Sequence, residues 1–301
     1  MRNRPDVAAL AVLIFLSLST QLFAGAWTLK RGDLWVKTSF YYQKTRDRYF
    51  ADKLACPIER NGNCRNGDRV RFPNNGESKI KAVFLDFSYG LLDQVQLNFQ
   101  IPYYVIEFAD FGGDRKTTDI GDIRFGAQYR LIANPLVSSV KIEAKAPTGF
   151  FNRDSELVPV GDGQWDLELM ARFGKSLWPI PAYANLDVGY RFRFKPAEKT
   201  TNRDPGNEFI FRAEAGYNVL RTLQVKVSVN GLYGNKFKQG DIVAPERQVL
   251  FFEPGIHWNI QGPLAIDTGV QFSLSGKNYT AGEVFNFGLS YNFSLLKKRS
   301  R

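Results

Sequence analysis

Apolar and polar residues alternate one by one over long stretches of this chain. In VQLNFQIPYY (95–104), Val95, Leu97, Phe99, Ile101 and Tyr103 share one face, and the residues between them share the other. Neighbouring side chains of a β-strand point to opposite faces, so a period of two predicts a strand with one apolar face. The same test predicts strands over about 33–43, 78–90, 95–106, 120–132, 137–147, 164–176, 182–195, 208–218, 223–233, 248–260, 264–276 and 283–293.

These strands are longer than those of ordinary soluble proteins, which average five or six residues. Ten residues at about 3.3 Å each, tilted by about 40°, cross an apolar band about 25 Å thick. Their length therefore favours a membrane, with the apolar face turned to lipid and the polar face turned inward.

The connections between the predicted strands alternate between long and short. Long loops cover 44–77, 107–119, 148–163, 196–207 and 234–247, and short turns cover 91–94, 133–136, 177–181, 219–222 and 261–263; only the last outer loop, 277–282, is short. Outer-membrane barrels combine long extracellular loops with short periplasmic turns and an even number of strands. Because an open edge would leave backbone groups unpaired in hydrocarbon, we predict an all-β, closed, antiparallel up-and-down transmembrane barrel of about 12 strands.

Aromatic residues recur at the ends of these strands on the apolar face. At the periplasmic ends they are Tyr89, Tyr129, Phe173, Tyr217, Trp258 and Tyr291, and at the outer ends Tyr42, Tyr103, Trp165, Phe194 and Tyr233. Such positions predict the two aromatic girdles of a membrane barrel.

The first residues predict export. Arg2 and Arg4 precede the apolar run 7–18, and Ala24-Gly25-Ala26 is a small-residue cleavage site. We therefore divide the chain into a signal peptide (1–26), an outer-membrane barrel (27–294) and a basic periplasmic tail (295–301). The short apolar run could instead be an anchor helix, but spanning helices need about 20 apolar residues.

The two cysteines, Cys56 and Cys64, flank a short Pro-, Asn- and Gly-containing stretch of the first outer loop. Export to an oxidising compartment favours a local disulfide between them. The rival interpretation is a metal site, but zinc requires more ligands and no histidine lies nearby, so we predict neither a metal nor a cofactor.

The polar face carries charges of both signs, which we expect to line the lumen. A plausible hairpin register sets Arg172 opposite Asp187, Glu168 opposite Arg191, Asp166 opposite Arg193, and Glu214 opposite Lys226. Such pairs form a self-neutralising wall and could also filter permeating solutes. The predicted lumen-lining residues are Arg124, Lys141, Glu143, Asp166, Glu168, Arg172, Asp187, Arg191, Arg212, Glu214 and His257.

A catalytic role is the weaker interpretation of these residues. His257 is the only histidine, and a Ser–His nucleophile needs a base in hydrogen-bond reach, so we interpret His257 as a polar wall residue. Asp166 and Glu168 could bind a cation or act as acid and base, but Arg191 and Arg193 opposite them favour ion pairing. We predict no catalytic residues and no enzyme.

The net charge of +10 is concentrated partly in the first outer loop, with Arg46, Arg48, Lys53, Arg60, Arg65, Arg69 and Arg71. Basic loops next to an outer leaflet either bind lipopolysaccharide phosphates or form a solvated surface. The expected partners are outer-membrane lipid and lipopolysaccharide, the barrel-insertion machinery and a small-molecule solute, but not nucleic acid. FGLSYNF (287–293) is similar to the terminal strand that the insertion machinery recognises.

Four segments together resemble a known family. They are AGAWTLKRGDLWVKTSFYYQKTRDRY (24–49), TDIGDIRFGAQYRL (118–131), KAPTGF (145–150) with VGDGQWDLELMARFGKSL (160–177), and ANLDVGYRFR (184–193). The family comprises outer-membrane barrels labelled "meta-pathway of phenol degradation", and the resemblance implies transport of aromatic or other organic compounds. We therefore expect an outer-membrane passive channel for small molecules. A non-transporting surface or envelope-assembly barrel and an outer-membrane lipid hydrolase are the alternatives.

Overall fold

Twelve long strands form one closed antiparallel barrel. The structure, a computed structural model, describes residues 25–51, 63–151, 158–196, 203–239 and 242–296. The barrel strands are β1 (Asp33–Thr45), β2 (Glu77–Leu92), β3 (Val95–Asp110), β4 (Arg124–Ile132), β5 (Val137–Lys145), β6 (Asp166–Ser176), β7 (Ala182–Arg193), β8 (Glu208–Asn218), β9 (Leu223–Gly234), β10 (Gln248–Gln261), β11 (Leu264–Lys277) and β12 (Glu283–Ser294). Each strand pairs with the next along the chain, and β12 pairs with β1 to close the ring. The predicted fold class is confirmed.

The apolar face of each strand points outward, as the alternation predicted. On β3, Leu97 and Phe99 are exposed, whereas Gln96, Asn98 and Gln100 between them are buried. An exposed apolar band around a closed barrel is stable only against lipid. The barrel is therefore a membrane barrel whose core is its lumen.

Two predicted strand boundaries are wrong. The strand predicted over 120–132 begins only at Arg124, and the loop predicted over 107–119 is largely a hairpin. In this hairpin β3 continues to Asp110 and pairs with the short strand Gly113–Ile120. Between this hairpin and β4, Gly121 packs against the ring of Tyr104, where a Cβ would clash.

Further short elements lie beyond the ends of the barrel strands. Asp47–Tyr49, Arg69–Arg71 and Tyr279–Ala281 form one small sheet, and Arg203–Asp204, Phe237–Gln239 and Ile242–Ala244 form another. Pro73–Asn75 is a single 3-10 turn. Within the described ranges, no helix has the length and apolar character needed to cross a membrane.

Two sequence predictions fall largely outside the described residues. The predicted signal peptide (1–26) is described only at Gly25 and Ala26, and Cys56 lies in an undescribed stretch. Cys64 is described and is buried with Phe50 and Val70. The signal peptide and the disulfide therefore stay predictions.

Candidate functional site

The segment that precedes β1, residues 25–32, lies across the periplasmic opening of the barrel. Gln128 on β4 donates from Nε2 to two backbone carbonyls of this segment at 3.3 Å. Gln96 on β3 accepts a hydrogen bond of 2.9 Å from the backbone N–H of Leu29. The wall thus offers two amide side chains that hold the segment inside the opening.

Two glycines of the wall leave room for this segment. A Cβ on Gly90 would collide with the carbonyl oxygen of Lys30, and a Cβ on Gly174 would collide with the ring of Trp27. At both positions the absence of a side chain lets backbone and ring approach the wall closely. The segment and the periplasmic end of the lumen therefore fit each other closely.

The middle of the lumen carries ion pairs between adjacent strands. Arg172 on β6 lies 3.0 Å from Asp187 on β7, and Arg191 lies 2.9 Å from Glu168, in the register predicted from the sequence. Arg172 also donates to Gln128, at 2.6 Å. All these side chains are nearly inaccessible to solvent. A buried charge without a partner would be destabilising, and here each one contacts an oppositely charged group of the wall.

A neighbouring group links β4 and β5 to the same ladder. Arg124 contacts Glu143 at 3.2 Å and Glu168 at 3.7 Å, and Lys141 contacts Glu143 at 2.7 Å. The four side chains are buried and point inward. Carboxylates shared between cations extend the pairing beyond single hairpins.

One predicted pair is wrong in register. Glu214 on β8 lies opposite Ser228, not Lys226, because the hairpin pairs Asn218 with Gln224. Glu214 instead contacts Arg212 at 2.8 Å, and Lys226 contacts Asp267 at 2.9 Å. A slip of two residues keeps every side chain on its face, so the alternation could not exclude it.

His257 is part of a cluster centred on Asp267 of β11. The carboxylate of Asp267 lies 3.1 Å from His257 Nδ1, 2.9 Å from Lys226 Nζ and 3.0 Å from Lys37 Nζ. Lys37 and Asp267 were missed from the sequence because their partners are far apart in the chain. This cluster ties β1, β9, β10 and β11 together on one side of the lumen.

A second charged cluster lies near the extracellular end and contains the predicted pair of Asp166 and Arg193, which are opposite each other in the β6–β7 register. Its other members, Lys145, Asp122 and Asp162, were not predicted. Lys145 contacts Asp122 at 3.0 Å and Asp166 at 2.9 Å, and it also bonds Asp162. Arg193 sits close to Asp162 and Asp166, at 3.3 and 3.6 Å. Asp162 belongs to the GDGQWDLEL segment, whose loop folds back into the lumen to reach this cluster.

Asp122 fixes the folded-back loop. Its carboxylate accepts hydrogen bonds from the backbone N–H of Gly149 at 3.1 Å and of Asp162 at 2.9 Å. Gly149 and Gly161 are in backbone contact, and a Cβ on Gly161 would clash with Asp122 and with Gly149. The glycines of this segment therefore permit a tight packing of loop against wall.

The extracellular half of the lumen contains two apolar clusters that were not predicted. The first apolar cluster lies on β2 and β3 and is covered by inward-folded loops; its buried members are Phe72, Ile80, Ala82, Phe84, Tyr104, Ile106, Phe108, Val158 and Val160. Tyr41 packs edge-on against Phe84, with ring centroids 5.0 Å apart. The interior here is aromatic and aliphatic where a wholly polar wall was expected.

The second apolar cluster lies on β8, β9 and β10, on a different part of the wall. Its buried members are Tyr49, Ile210, Leu232, Val249, Phe251, Tyr279 and Ala281. Tyr49 and Tyr279 come from the small extracellular sheet, and Tyr49 Oη donates to the carbonyl of Ser273 at 2.7 Å. A charged wall on β5–β7 separates the two apolar clusters.

The sequence carried a signal for these clusters. In IKAVFLDF (80–87), apolar residues occupy both faces of β2, because Ile80, Ala82 and Phe84 point inward while Val83 and Leu85 point outward. A two-sided apolar strand indicates an interior that is covered on both sides. The charged candidates named from the sequence occupy inward-facing positions of their strands. Of these, His257 has the most accessible side chain, which is 29% exposed.

The described residues show no arrangement that points to metal chemistry. No group of three or more His, Cys, Asp or Glu side chains in the described ranges is placed to hold a metal ion. Chemically, the interior offers paired charges, amide side chains and two apolar surfaces, which suit selection and passage of solutes.

Comparisons with known proteins agree with this architecture. A family model described as "Putative MetA-pathway of phenol degradation" matches residues 77–289. An outer membrane channel from Pseudomonas putida F1 has the same fold, with a TM-score of 0.70, 17% identity, and coverage of 89% of this chain and 98% of that one. The NanC porin aligns with a TM-score of 0.52 and 4% identity, over 85% of this chain and 98% of that chain. No curated protein matches the sequence.

Proposed function

Because the chain belongs to the MetA-pathway phenol-degradation family, we propose that it is a passive outer-membrane channel for small organic molecules, aromatic compounds among them. The family description supplies the substrate class, and the barrel supplies a route across a membrane. No energy source is required, since a solute follows its own gradient.

The observation that carries this proposal is the composition of the extracellular half of the lumen. Phe84, Tyr104 and Phe108 are buried on the inner face of β2 and β3, and Phe251 and Tyr279 are buried on the other apolar wall. These rings contact one another beneath the inward-folded loops, and an aromatic solute that displaces a loop residue would gain the same edge and face contacts.

The charged wall supports uncharged rather than ionic cargo. Its carboxylates and cations contact one another at 2.7–3.2 Å in the pairs of Lys141, Arg124 and Arg172. A solute ion would have to compete with these pairs and would lose its own hydration. A small neutral molecule with one hydroxyl pays neither cost.

A non-transporting barrel for surface structure or envelope assembly is the second candidate, favoured by the segment 25–32 in the periplasmic opening and the loops folded into the extracellular half. A lipid hydrolase is the third. The His257 ring is hydrogen-bonded to Asp267, and two lysines also contact this carboxylate. This arrangement suits a wall cluster better than an activated nucleophile.

The decisive experiment measures current through the purified protein in planar bilayers, with and without aromatic solute. We expect phenol and catechol to reduce the ion current by occupying the path, and glucose at equal concentration to leave it unchanged. Phe84→Ser should weaken the block by phenol, whereas Phe111→Ser, at an exposed hairpin tip, should not. No current together with no solute flux would favour the non-transporting barrel, and release of fatty acid from mixed micelles would favour the hydrolase.

We also propose the finer features expected from the sequence. A signal peptide ending near Ala26, a Cys56–Cys64 disulfide and recognition of the last strand by the insertion machinery are consistent with an exported barrel. Mass spectrometry of the mature protein, with and without reductant, tests the first two directly.

A further inference from the structure

The lipid-facing surface of β1, β2 and β3 changes abruptly from apolar to cationic at its extracellular end. Strand pairing sets Phe40, Val83, Tyr103 and Ile120 in one row across the sheet. The next row outward contains Tyr42, Lys81, Val105 and Thr118, and the row beyond it contains Lys44, Lys79, Glu107 and Lys116. Lysines thus begin one residue pair above the apolar band.

The outermost row carries charge as well. Arg46 lies beside Glu77, with 2.7 Å between Nε and Oε2, and Glu77 also contacts Lys44 at 3.0 Å. Glu107 is likewise shared, between Lys79 at 3.2 Å and Lys116 at 3.3 Å. Each carboxylate serves two cations, so the surface keeps an excess of positive charge.

The lysines keep an excess of positive charge even though Lys44 contacts Glu77 and Lys79 contacts Glu107. Lys44 is directly opposite Lys79 in the β1–β2 pairing, and Lys81 follows Lys79 on the same face. Like charges at opposed positions destabilise a sheet. Lys81 is exposed and forms no ion pair with any described residue, although it stands level with Tyr42 at the membrane boundary.

We propose that Lys44, Lys79 and Lys81 form a binding site for the phosphorylated headgroup of an outer-leaflet glycolipid. Phosphate oxygens at this level would pair with Lys81 and offset the excess positive charge that Glu77 and Glu107 leave at Lys44 and Lys79. The acyl chains would lie along Phe40, Val83 and Tyr103 below. We call this set of three lysines the headgroup site. The site goes beyond the proposed transport function, since it lies on the outer wall.

The occupant follows from the position of the site. A soluble phosphate would make no use of the apolar band below the lysines. A membrane glycolipid presents phosphates and acyl chains at this boundary and would contact both surfaces. Lys81, in the row of Tyr42, is placed to contact the phosphates. The apolar rows beneath it are placed to contact the acyl chains.

The test compares lipid binding by two triple variants of the full-length protein. The site variant is Lys44→Gln, Lys79→Gln, Lys81→Gln. The control is Lys195→Gln, Lys236→Gln, Lys238→Gln, which removes three exposed lysines from other extracellular loops. Binding of diphosphorylated lipid A is measured by native mass spectrometry and by the shift in melting temperature. We expect the site variant to lose at least about tenfold in affinity and the control to lose little.

Three further measurements show which part of the lipid the lysines recognise. Lipid A without phosphates should bind equally weakly to both variants and to the unchanged protein, and pyrophosphate alone should not compete at concentrations near that of the lipid. Replacing the same three lysines by arginine should retain binding, because guanidinium groups also pair with phosphate. Equal losses in both triple variants, undiminished binding by the site variant, or tight binding of free pyrophosphate would each overturn the proposal. Channel current is measured separately and does not depend on the outcome.

Discussion

Arg172 illustrates how single residues keep charge inside the wall. Its guanidinium is buried and contacts Asp187 at 3.0 Å and Gln128 at 2.6 Å, so neither charge faces an apolar neighbour alone. Removing one partner from a buried pair leaves the other uncompensated. Single residues of the lumen therefore act in pairs, and the pair is the unit that a substitution changes.

We expect Arg172→Ala to destabilise the barrel by about 3 kcal/mol, because Asp187 would remain buried without its cation. The exchange of both residues, Arg172→Asp with Asp187→Arg, should recover much of this loss. Guanidinium unfolding in detergent, followed by tryptophan fluorescence, measures both. Lys175→Ala, at an exposed periplasmic position, is the control and should change stability little. If the exchange costs as much as the single change, the pair does not stabilise the wall.

Gly90 provides a second test at the scale of one residue. A side chain there would strike the carbonyl of Lys30 in the segment that crosses the opening. Gly90→Val should displace this segment and raise single-channel conductance several-fold. Gly112→Ala, in an exposed extracellular turn, should leave the current unchanged. Unaltered conductance in Gly90→Val would mean that the segment does not limit the current.

At the scale of elements, the strands were predictable and the inward-folded loops were not. Strand alternation is a local property, so all twelve barrel strands were located to within a few residues, with the largest shifts at the end of β3 and the start of β4. The loop around Gly149 and Gly161 enters the lumen because Asp122 and Lys145, which are distant in sequence from Asp162, bind it there. Such contacts leave no periodic trace along the chain.

Asp122 tests whether this loop is held by its carboxylate. Asp122→Asn removes the charge that Lys145 contacts and weakens the hydrogen bonds to Gly149 and Asp162. We expect faster proteolysis within 146–165 and weaker protection of the first apolar cluster from solvent. Limited proteolysis with mass mapping detects the first effect. Asp119→Asn is the matched control. The Asp119 carboxylate is exposed and accepts a hydrogen bond from the backbone N–H of its neighbour Ile120. Equal proteolysis of both variants would contradict this role of Asp122.

At the scale of the whole molecule, the net charge of +10 does not describe the lumen. Most inward-facing cations on β4–β8 contact carboxylates, as in Arg191 with Glu168 and Glu208. The excess charge lies elsewhere, including the headgroup site on the outer wall. The charge that sets solubility and lipid contact is thus separate from the charge along the path.

This separation predicts weak ion selectivity. The reversal potential under a potassium chloride gradient should stay near zero, and the ratio of cation to anion permeability should be close to unity, because a paired wall presents little net field to a passing ion. Measurements on the Gly90→Val variant, which carries more current, make the ratio easier to determine. Strong anion selectivity would show that unpaired cations dominate the path.

The sequence by itself determined the barrel, its strand number, the outward direction of its apolar face and the inward position of the charged candidates. Each of these follows from side-chain alternation and from the need to pair every backbone group in lipid. Only the tertiary structure decided the register between β8 and β9, the cluster around Asp267, the two apolar clusters and the segment in the periplasmic opening. These depend on which distant residues meet across a closed lumen, and a period of two carries no information about that.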